Sequence, residues 1–288
     1  MTDEEFEYIR KLIWDYAGLC LDKGKEYMAE LRLTPLAKQK GFNDIDGMIA
    51  SLRPDSGSKT IEWDIVEAMV TCETMFFRDR NPFELMKSTC LPELMRRHDQ
   101  SRQLTVWCAA CSSGQEPYSI ALLIQEHFPA LSQWNLKIVA SDISKKILDR
   151  AREGAFSMLE INRGLPPAML TKYFDKQEAC WRLKPDIRKM VDFQQINLIR
   201  EWPLPPFSVD IIFMRNVLIY FDIPTKQRIL KKLQTILKPE GYLFLGGAET
   251  TINLNNNFER VPVTATGCYQ LAGQVGAHSP LSNGGKNA

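Results

Sequence analysis

Histidine is scarce in this chain of 288 residues, which contains three: His98, His127 and His278. The seven cysteines are too few for a small fold held together by disulfides, and their odd number favours reduced thiols. The opening residues MTDEEFEYIR are acidic and lack the apolar segment of a targeting peptide. We therefore expect a cytoplasmic protein whose cysteines are free.

The sequence also lacks an excess of charge of either sign. Lys and Arg number 36 and Asp and Glu number 35, so no overall field attracts nucleic acid or an anionic membrane. The most apolar stretch, 209–221, contains Arg215 and Asn216 and is shorter than the roughly 20 residues that span a bilayer. With 44% hydrophobic and 25% charged residues, the composition is that of a globular protein of about two domains.

From Thr2 to about His98 the sequence shows helical patterns and no strand pattern. Thr2 and Glu5 form a capping-box pattern, and apolar residues follow it at spacings of three and four. A second helix is predicted over 25–33, and Thr34 followed by Pro35 predicts a third that ends near Gly41. The other predicted features are a turn at 54–57 and helices over 61–69 and from Asn81 onward.

From Leu104 onward, short apolar runs alternate with helical segments, which is typical of an α/β fold with a doubly wound parallel sheet. The long stretch 155–189 is predicted to be an insertion with its own small structure. The predicted strands are 104–108, 136–141, 190–194, 209–214 and 242–246, with a closing antiparallel pair at 258–263 and 267–271. The predicted domains are a helical domain over 1–70 and an α/β domain over 71–272, followed by a disordered tail over 273–288.

The turn after the first strand is a candidate ligand site. Its residues are small, which lets a ligand approach the backbone, although it has one glycine, Gly114, where a dinucleotide fingerprint has three. The next strand ends at Asp142, and an acidic residue there can accept hydrogen bonds from ribose hydroxyls. These features predict a nucleoside-type ligand. They are equally compatible with an ordinary turn and a helix cap at Asp142 or Ser144.

Cys108 and Cys111 in this turn allow a second hypothesis. Trp-Cys-x-x-Cys also begins the active helix of thioredoxin-like proteins. The helix here starts later, and the surrounding domain is larger than such a fold needs. A zinc site is disfavoured because the pair has no partner pair and no clustered histidine, so no metal is expected.

Five motifs, in this order and spacing, resemble the chemotaxis-receptor glutamate methyltransferases of the CheR family. They are TCETMFFRD, AACSSGQEPYSIA, ASDISKKILDRA, INL and MRNVLIYFD. The similarity extends from the first helices to about Leu271. It implies a class I methyltransferase fold, Rossmann-like, that binds S-adenosylmethionine, with a small helical N-terminal domain and a small β-subdomain inserted at 155–189.

The resemblance also implies roles for individual residues. Asp142 would bind the ribose hydroxyls, while Arg78 and Tyr220 would face the transferred methyl group as catalytic residues. Cys72 stands where the family usually has Asn. The implied cofactor-binding residues are Cys72, Thr74, Arg78, Gly114, Glu116, Asp142, Asn197, Leu198, Arg215 and Asn216.

The implied substrate is a glutamate on the cytoplasmic helices of a chemoreceptor. A glutamate has a reference pKa of about 4.3, so it is already ionised near neutral pH and needs no strong general base. A nucleic-acid methyltransferase is disfavoured, because the fourth strand ends in Arg-Asn-Val rather than Asn/Asp-Pro-Pro-aromatic. An interaction module without catalytic activity is also disfavoured, because the sequence has all of the following motif residues together: Arg78, Glu116, Asp142, Asn216 and Tyr220.

Two features bear on receptor binding. A local excess of positive charge between residues 23 and 40 is the candidate contact patch. It comprises Lys23, Lys25, Arg32, Lys38 and Lys40. Some family members grip a peptide at the receptor's C-terminus through a glycine-bearing loop of the β-subdomain. The corresponding turn here, 175–179, is short and has no glycine, so no such tether is expected.

Overall fold

The computed structural model describes residues 1–52, 59–262 and 266–274. The predicted turn at 54–57, the end of the predicted strand 258–263 and most of the predicted tail lie outside the described residues. The first four helices are α1 (Asp3–Ala17), α2 (Glu26–Gln39), α3 (Ile45–Ala50) and α4 (Lys59–Met69). Thr2 caps α1 through the predicted capping box with Glu5. The helices share one apolar core around Ile9, Leu33 and Ile65.

The prediction of two separate helices meeting at Thr34 is wrong, because α2 continues through Pro35. The buried residues Ala29, Leu33 and Ala37 lie four apart on one face, and their burial outweighs the backbone hydrogen bond that proline cannot donate. The Thr34 hydroxyl donates to the Glu30 carbonyl at 2.7 Å, whereas the carbonyl that lacks its helical donor because of Pro35 is that of Leu31.

The helix predicted from Asn81 has an irregular centre. It consists of α5 (Asn81–Leu85), a π-helical turn over Met86–Cys90 and α6 (Leu91–Arg97). The N–H of Leu91 donates to the Met86 carbonyl, five residues back, as expected for a π turn. The segment packs Met86, Cys90 and Leu94 against the sheet.

A seven-stranded sheet, mostly parallel, forms the centre of the molecule, so the predicted α/β fold is confirmed. The strand order is β6-β2-β1-β7-β8-β10-β9, in which β10 is antiparallel to β8 and β9. The first five of these strands pair in parallel. The sheet strands are β1 (Gln103–Ala109), β2 (Asn135–Asp142), β6 (Val191–Gln195), β7 (Val209–Met214), β8 (Leu237–Leu245), β9 (Phe258–Arg260) and β10 (Gly267–Leu271). The helices α7 (Gln115–His127), α8 (Lys145–Glu153) and α12 (Ile223–Ile236) connect its strands.

The stretch 155–189 contains a separate three-stranded antiparallel sheet of order β3-β5-β4. Its elements are β3 (Ala155–Phe156), α9 (Met158–Asn162), α10 (Pro167–Tyr173), β4 (Phe174–Lys176), β5 (Trp181–Leu183) and α11 (Pro185–Arg188). Phe76 packs edge-on against Phe156 and Phe174, with ring centroids 4.9 and 5.9 Å apart. A Cβ on Gly164 would lie 2.0 Å from the Phe76 carbonyl oxygen, so the insertion packs directly on the 71–80 segment.

Within the described residues, we find no helix that combines the length and apolar character required to cross a membrane.

Candidate active site

A cavity of about 440 Å³ lies at the carboxyl ends of the parallel strands. Ala110 follows β1, Asp142 ends β2, Asn197 follows β6 and Arg215 follows β7, and all four line it. The chain runs from β1 to β2 and β6 in one direction across the sheet, whereas β7 and β8 lie on the other side of β1. Ligands of doubly wound sheets bind at such a switch point.

Asp142 is 5% exposed, and its carboxylate accepts two backbone hydrogen bonds. Oδ2 accepts from the N–H of Ser112 at 2.9 Å, and Oδ1 accepts from the N–H of Ser144 at 3.1 Å. Burial raises the pKa of Asp142, and these backbone donors oppose the rise. Asp142 therefore shapes the local turns, as the simpler hypothesis held, and also lines the cavity. Each carboxylate oxygen can accept further hydrogen bonds from a ligand.

Arg215 joins three segments of the wall and is 1% exposed in its side chain. Its Nη1 donates to Glu116 at 2.7 Å, and its Nη2 donates to Asp79 at 2.6 Å and to the Arg78 carbonyl at 3.0 Å. Burial raises the pKa of Glu116, and the charge of Arg215 opposes part of the rise. The Nε of Arg215 is buried and has no hydrogen-bond partner within the described residues. A buried N–H without an acceptor favours binding of an anionic group.

The backbone around the cavity is strained. Six residues other than glycine, in the 71–80 segment, the turn after β1 and the loop after β7, have φ between 47° and 65°, in the left-handed region that side chains disfavour. Such strain clusters at functional sites, where the surrounding structure holds it in place. The six residues are Phe77, Asp79, Arg80, Ala110, Ser112 and Asn216.

Arg78 and Tyr220 both line the cavity and come from two different segments, 71–80 and the loop after β7. The Arg78 guanidinium is partly exposed, and its one hydrogen bond in the described part of the chain is long, 3.4 Å to the Glu73 carbonyl. It thus keeps donors for a carboxylate. Tyr220 ends a 3-10 turn over Leu218–Tyr220, and its carbonyl accepts from the N–H of Cys20 at 2.8 Å. The α1–α2 connection therefore borders the mouth of the cavity.

Asn197 and Leu198 line the cavity at the end of β6. The Asn197 amide donates to the Tyr16 carbonyl at 2.7 Å and accepts from the N–H of Ile199 at 3.1 Å. Both ends of this amide are therefore held by protein, which gives the wall a fixed shape and ties the helical region to the sheet.

Cys72 and Gly114, two of the residues implied by the resemblance, do not line the cavity. The Cys72 carbonyl accepts from the Ser112 hydroxyl at 2.9 Å, so Cys72 connects the 71–80 segment to the turn after β1. Gly114 has φ +92°, and a Cβ there would lie 3.1 Å from the Cβ of Ala151. Both residues support the wall from behind.

The cysteines of this turn do not fit a redox site. Cys108 and Cys111 are 0% and 1% exposed, and burial raises the pKa of both thiols well above the ordinary value. The thiolate is the reactive form of cysteine, and this environment disfavours it.

The sequence reasoning missed Asp79, Ser112 and Glu249 as contributors to the site. Glu249 follows β8 and accepts hydrogen bonds from the loop after β7. A signal was available, because β7 and β8 are neighbouring parallel strands and polar residues after both must meet at the same edge.

The cavity offers a matching group to each part of S-adenosylmethionine. Asp142 can accept from the ribose hydroxyls, and the apolar side chains of Ile143 and Leu198 suit a base. The unpaired Nε of Arg215, with Arg78 nearby, suits the carboxylate of the amino-acid end. The residues present therefore fit this cofactor, and the volume lies within the range of small-ligand sites.

Comparison with known proteins gives matches over nearly the whole chain. Residues 72–266 match the family model of the CheR methyltransferase SAM-binding domain, and residues 4–65 match that of its all-alpha domain. The chain is 39% identical to chemotaxis protein methyltransferase 1 of Pseudomonas aeruginosa, over 90% of this chain and 95% of that protein. It is 38% identical to the chemotaxis protein methyltransferase Cher2 of Pseudomonas putida, over 92% and 97% respectively.

A third relative, chemotaxis protein methyltransferase 1 of Vibrio cholerae, is 33% identical over 94% of this chain and 98% of its own length. The resemblance inferred from the five motifs is confirmed, together with the class I methyltransferase fold and S-adenosylmethionine as the cofactor. This chain belongs to the CheR methyltransferase family.

Proposed function

We propose that this protein transfers a methyl group from S-adenosylmethionine to glutamate carboxylates on the cytoplasmic helices of chemoreceptors, forming methyl esters. The observation that carries the proposal is that Arg78 and Tyr220 both line the cavity, where a guanidinium and a phenol offer hydrogen-bond donors to an anionic acceptor. Among the residues that the structure describes, none that lines the cavity is a histidine. A carboxylate that is already ionised needs no general base, which agrees with this arrangement.

When bound, S-adenosylmethionine supplies a methyl group carried on a sulfonium. Asp142 holds the ribose end, and Arg215 and Thr74 hold the amino-acid end. Arg78 orients a carboxylate with its guanidinium fork, either that of the cofactor or that of the substrate. Tyr220 lines the cavity from the loop after β7 and excludes water there. Catalysis then rests on proximity and orientation.

The proposed receptor contact lies on α2 and on the residues just before it. Of the candidate patch, Lys23, Lys25 and Lys38 are exposed. Arg32 instead donates to the Met69 carbonyl at 2.6 Å, and Lys40 pairs with Asp64. Arg32 and Lys40 therefore connect α2 and its C-terminal end to α4.

Two exposed apolar side chains, Tyr27 at 77% and Leu31 at 61%, lie one turn apart on the same helix. We propose that the three exposed lysines attract an acidic receptor helix and that Tyr27 and Leu31 pack against it. Lys38→Glu should raise the receptor KM, whereas Lys40→Glu, which breaks the pair with Asp64, should affect stability instead.

We also propose that no receptor peptide is tethered to the β-subdomain. The connection between β4 and β5 is four residues long, and Gln177 N–H donates to the Cys180 carbonyl at 2.8 Å. A hairpin this tight offers little loop for a peptide. Methylation should therefore be equally fast on receptor fragments with and without their last residues, and a tight complex with the isolated C-terminal peptide would contradict the proposal.

The function is tested in two stages. Calorimetry with S-adenosylhomocysteine should show one saturable site per chain. Receptor cytoplasmic fragments should then gain base-labile methyl groups from labelled S-adenosylmethionine, and fragments with the modified glutamates changed to alanine should not. Cofactor binding without base-labile labelling of any receptor fragment would show that the acceptor is not a receptor glutamate.

A further inference from the structure

Glu249 lies in the turn after β8, is 8% exposed and has an unusual set of partners. Its carboxylate accepts from five backbone N–H groups and from no side chain in the described residues. Four of the donors are consecutive in sequence. The five donors are Asn216 at 2.8 Å, Val217 at 2.8 Å, Leu218 at 2.7 Å, Ile219 at 3.3 Å and Gly246 at 2.6 Å.

The four consecutive donors form a nest, a concavity of backbone amides that binds an anion. Asn216 begins it with φ +58°, a left-handed conformation that asparagine adopts more easily than most residues. The last two donors, Leu218 and Ile219, lie in the 3-10 turn that ends at Tyr220. One carboxylate thus fixes the backbone between Arg215, which binds Glu116, and Tyr220, which borders the cavity mouth.

Gly246 provides the space for this contact. A Cβ at Gly246 would lie 2.7 Å from Oε2 of Glu249 and 2.9 Å from the N of Asn216. The N–H of Glu249 also donates to the Gly246 carbonyl at 2.9 Å, which closes the turn. The end of β8 is therefore shaped to bring a carboxylate onto the loop after β7.

We infer that Glu249 is a positioning residue for methyl transfer, acting through the backbone of the 216–220 loop on Asn216 and Tyr220. This inference rests on the proposed function for its kinetic test, although its structural test does not. Without the carboxylate, five backbone amides lose their acceptor, three of them in buried hydrogen bonds, and the strained loop loses its main constraint.

Glu249→Gln is the sharpest variant, since it keeps the shape but replaces one acceptor oxygen with an N–H₂ group directed at backbone donors. We expect kcat to fall by about 10- to 100-fold, more than the affinity for S-adenosylhomocysteine changes. Gly246→Ala should change kcat in the same direction. Asp210→Asn is the matched control, because Asp210 also accepts a backbone N–H while buried but lies at the other edge of the sheet, and it should keep kcat.

A second readout needs no receptor substrate. In protein labelled with 3-fluorotyrosine, the Tyr220 resonance, assigned with Tyr220→Phe, should be one line that shifts on adding S-adenosylhomocysteine. In Glu249→Gln it should be broadened or split. A wild-type Tyr220 line and unchanged kcat in a folded Glu249→Gln protein would overturn the inference. If wild-type protein fails to methylate receptors, the proposed function fails, whereas the fluorine spectra still decide the role of Glu249.

Discussion

The two edges of the central sheet both bury charged side chains, yet only one has the features of an active site. At the amino edge, His98, Asp210, Lys238 and Glu240 form what we term the amino-edge cluster. Its side chains contact one another: His98 Nε2 lies 3.0 Å from Glu240 Oε1, and Lys238 Nζ lies 2.9 Å from Asp210 Oδ1. None of the four lines the active-site cavity.

At the carboxyl edge the charges are arranged around a cavity instead. Arg215 holds two carboxylates and a carbonyl, and its Nε is still unpaired in the described part of the protein. The backbone there is strained at six positions. Burial of charge therefore does not distinguish the two edges. The adjoining cavity does, because the other two features occur at both edges: Arg102 and Phe207, just before β1 and β7, also have positive φ, and Asp210 Oδ1, although close to Lys238, is also buried without a hydrogen-bond partner among the described residues.

The comparison predicts the largest effect for Arg215→Ala. This change leaves Glu116 buried without its cation, so the free energy of unfolding should fall by about 3–5 kcal/mol in urea denaturation. Arg163→Ala removes an exposed ion pair with Glu73, 3.0 Å long, and should cost about 0–1 kcal/mol. Equal losses in the two variants would mean that the Arg215 pair is no more important for stability than a surface pair.

A smaller effect is expected for Asp142→Ala, measured by calorimetry with S-adenosylhomocysteine. Loss of charged hydrogen bonds to the ribose should weaken binding by about 1.5–3 kcal/mol, or about 10- to 150-fold. Asp149→Ala changes an exposed aspartate of α8 that pairs with Arg152, and should leave the affinity unchanged. Unchanged affinity in Asp142→Ala would place the ribose elsewhere in the cavity.

Local sequence patterns predicted much of this architecture because the sheet strands are short apolar runs and the site residues follow them directly. Arg215 and Asp142 were accessible in this way, since a polar residue at the end of a buried strand must lie at the sheet edge. The continuous α2 was not, because burial of Ala29, Leu33 and Ala37 overrides the local preference of Pro35.

Residues that hold the lining segments in place were harder to predict than the residues that line the cavity. Glu249 lies 33 residues after Asn216, and the link between them depends on β7 and β8 being neighbours. Cys72 and Gly114 likewise have long-range neighbours: the Cys72 carbonyl accepts from the Ser112 hydroxyl, and Gly114 leaves little room for a Cβ beside Ala151. Sequence identifies which motifs meet, whereas the fold decides which side chains face the ligand.

The smallest predicted effect concerns the amino-edge cluster. Burial raises the pKa of Asp210, while Lys238, the N–H of Thr105 and His98 oppose the rise. The reference pKa of an unfolded aspartate is about 3.9, so between that value and the raised one the folded state binds more protons. The contribution of Asp210 to stability must therefore fall as pH increases through this window.

Asp210→Asn removes that titration and so isolates it. The unfolding free energy of wild type minus that of the variant should decrease as pH rises from acid to neutral, in urea denaturation at a series of pH values. If the difference instead grows with pH, Lys238 lowers the pKa of Asp210, and the cluster is a net stabilising ion pair. In that case the buried carboxylates of the two edges would have pKa shifts of opposite direction. The pKa of Asp210 would be lowered, whereas burial raises the pKa of Glu116 and Asp142 at the other edge.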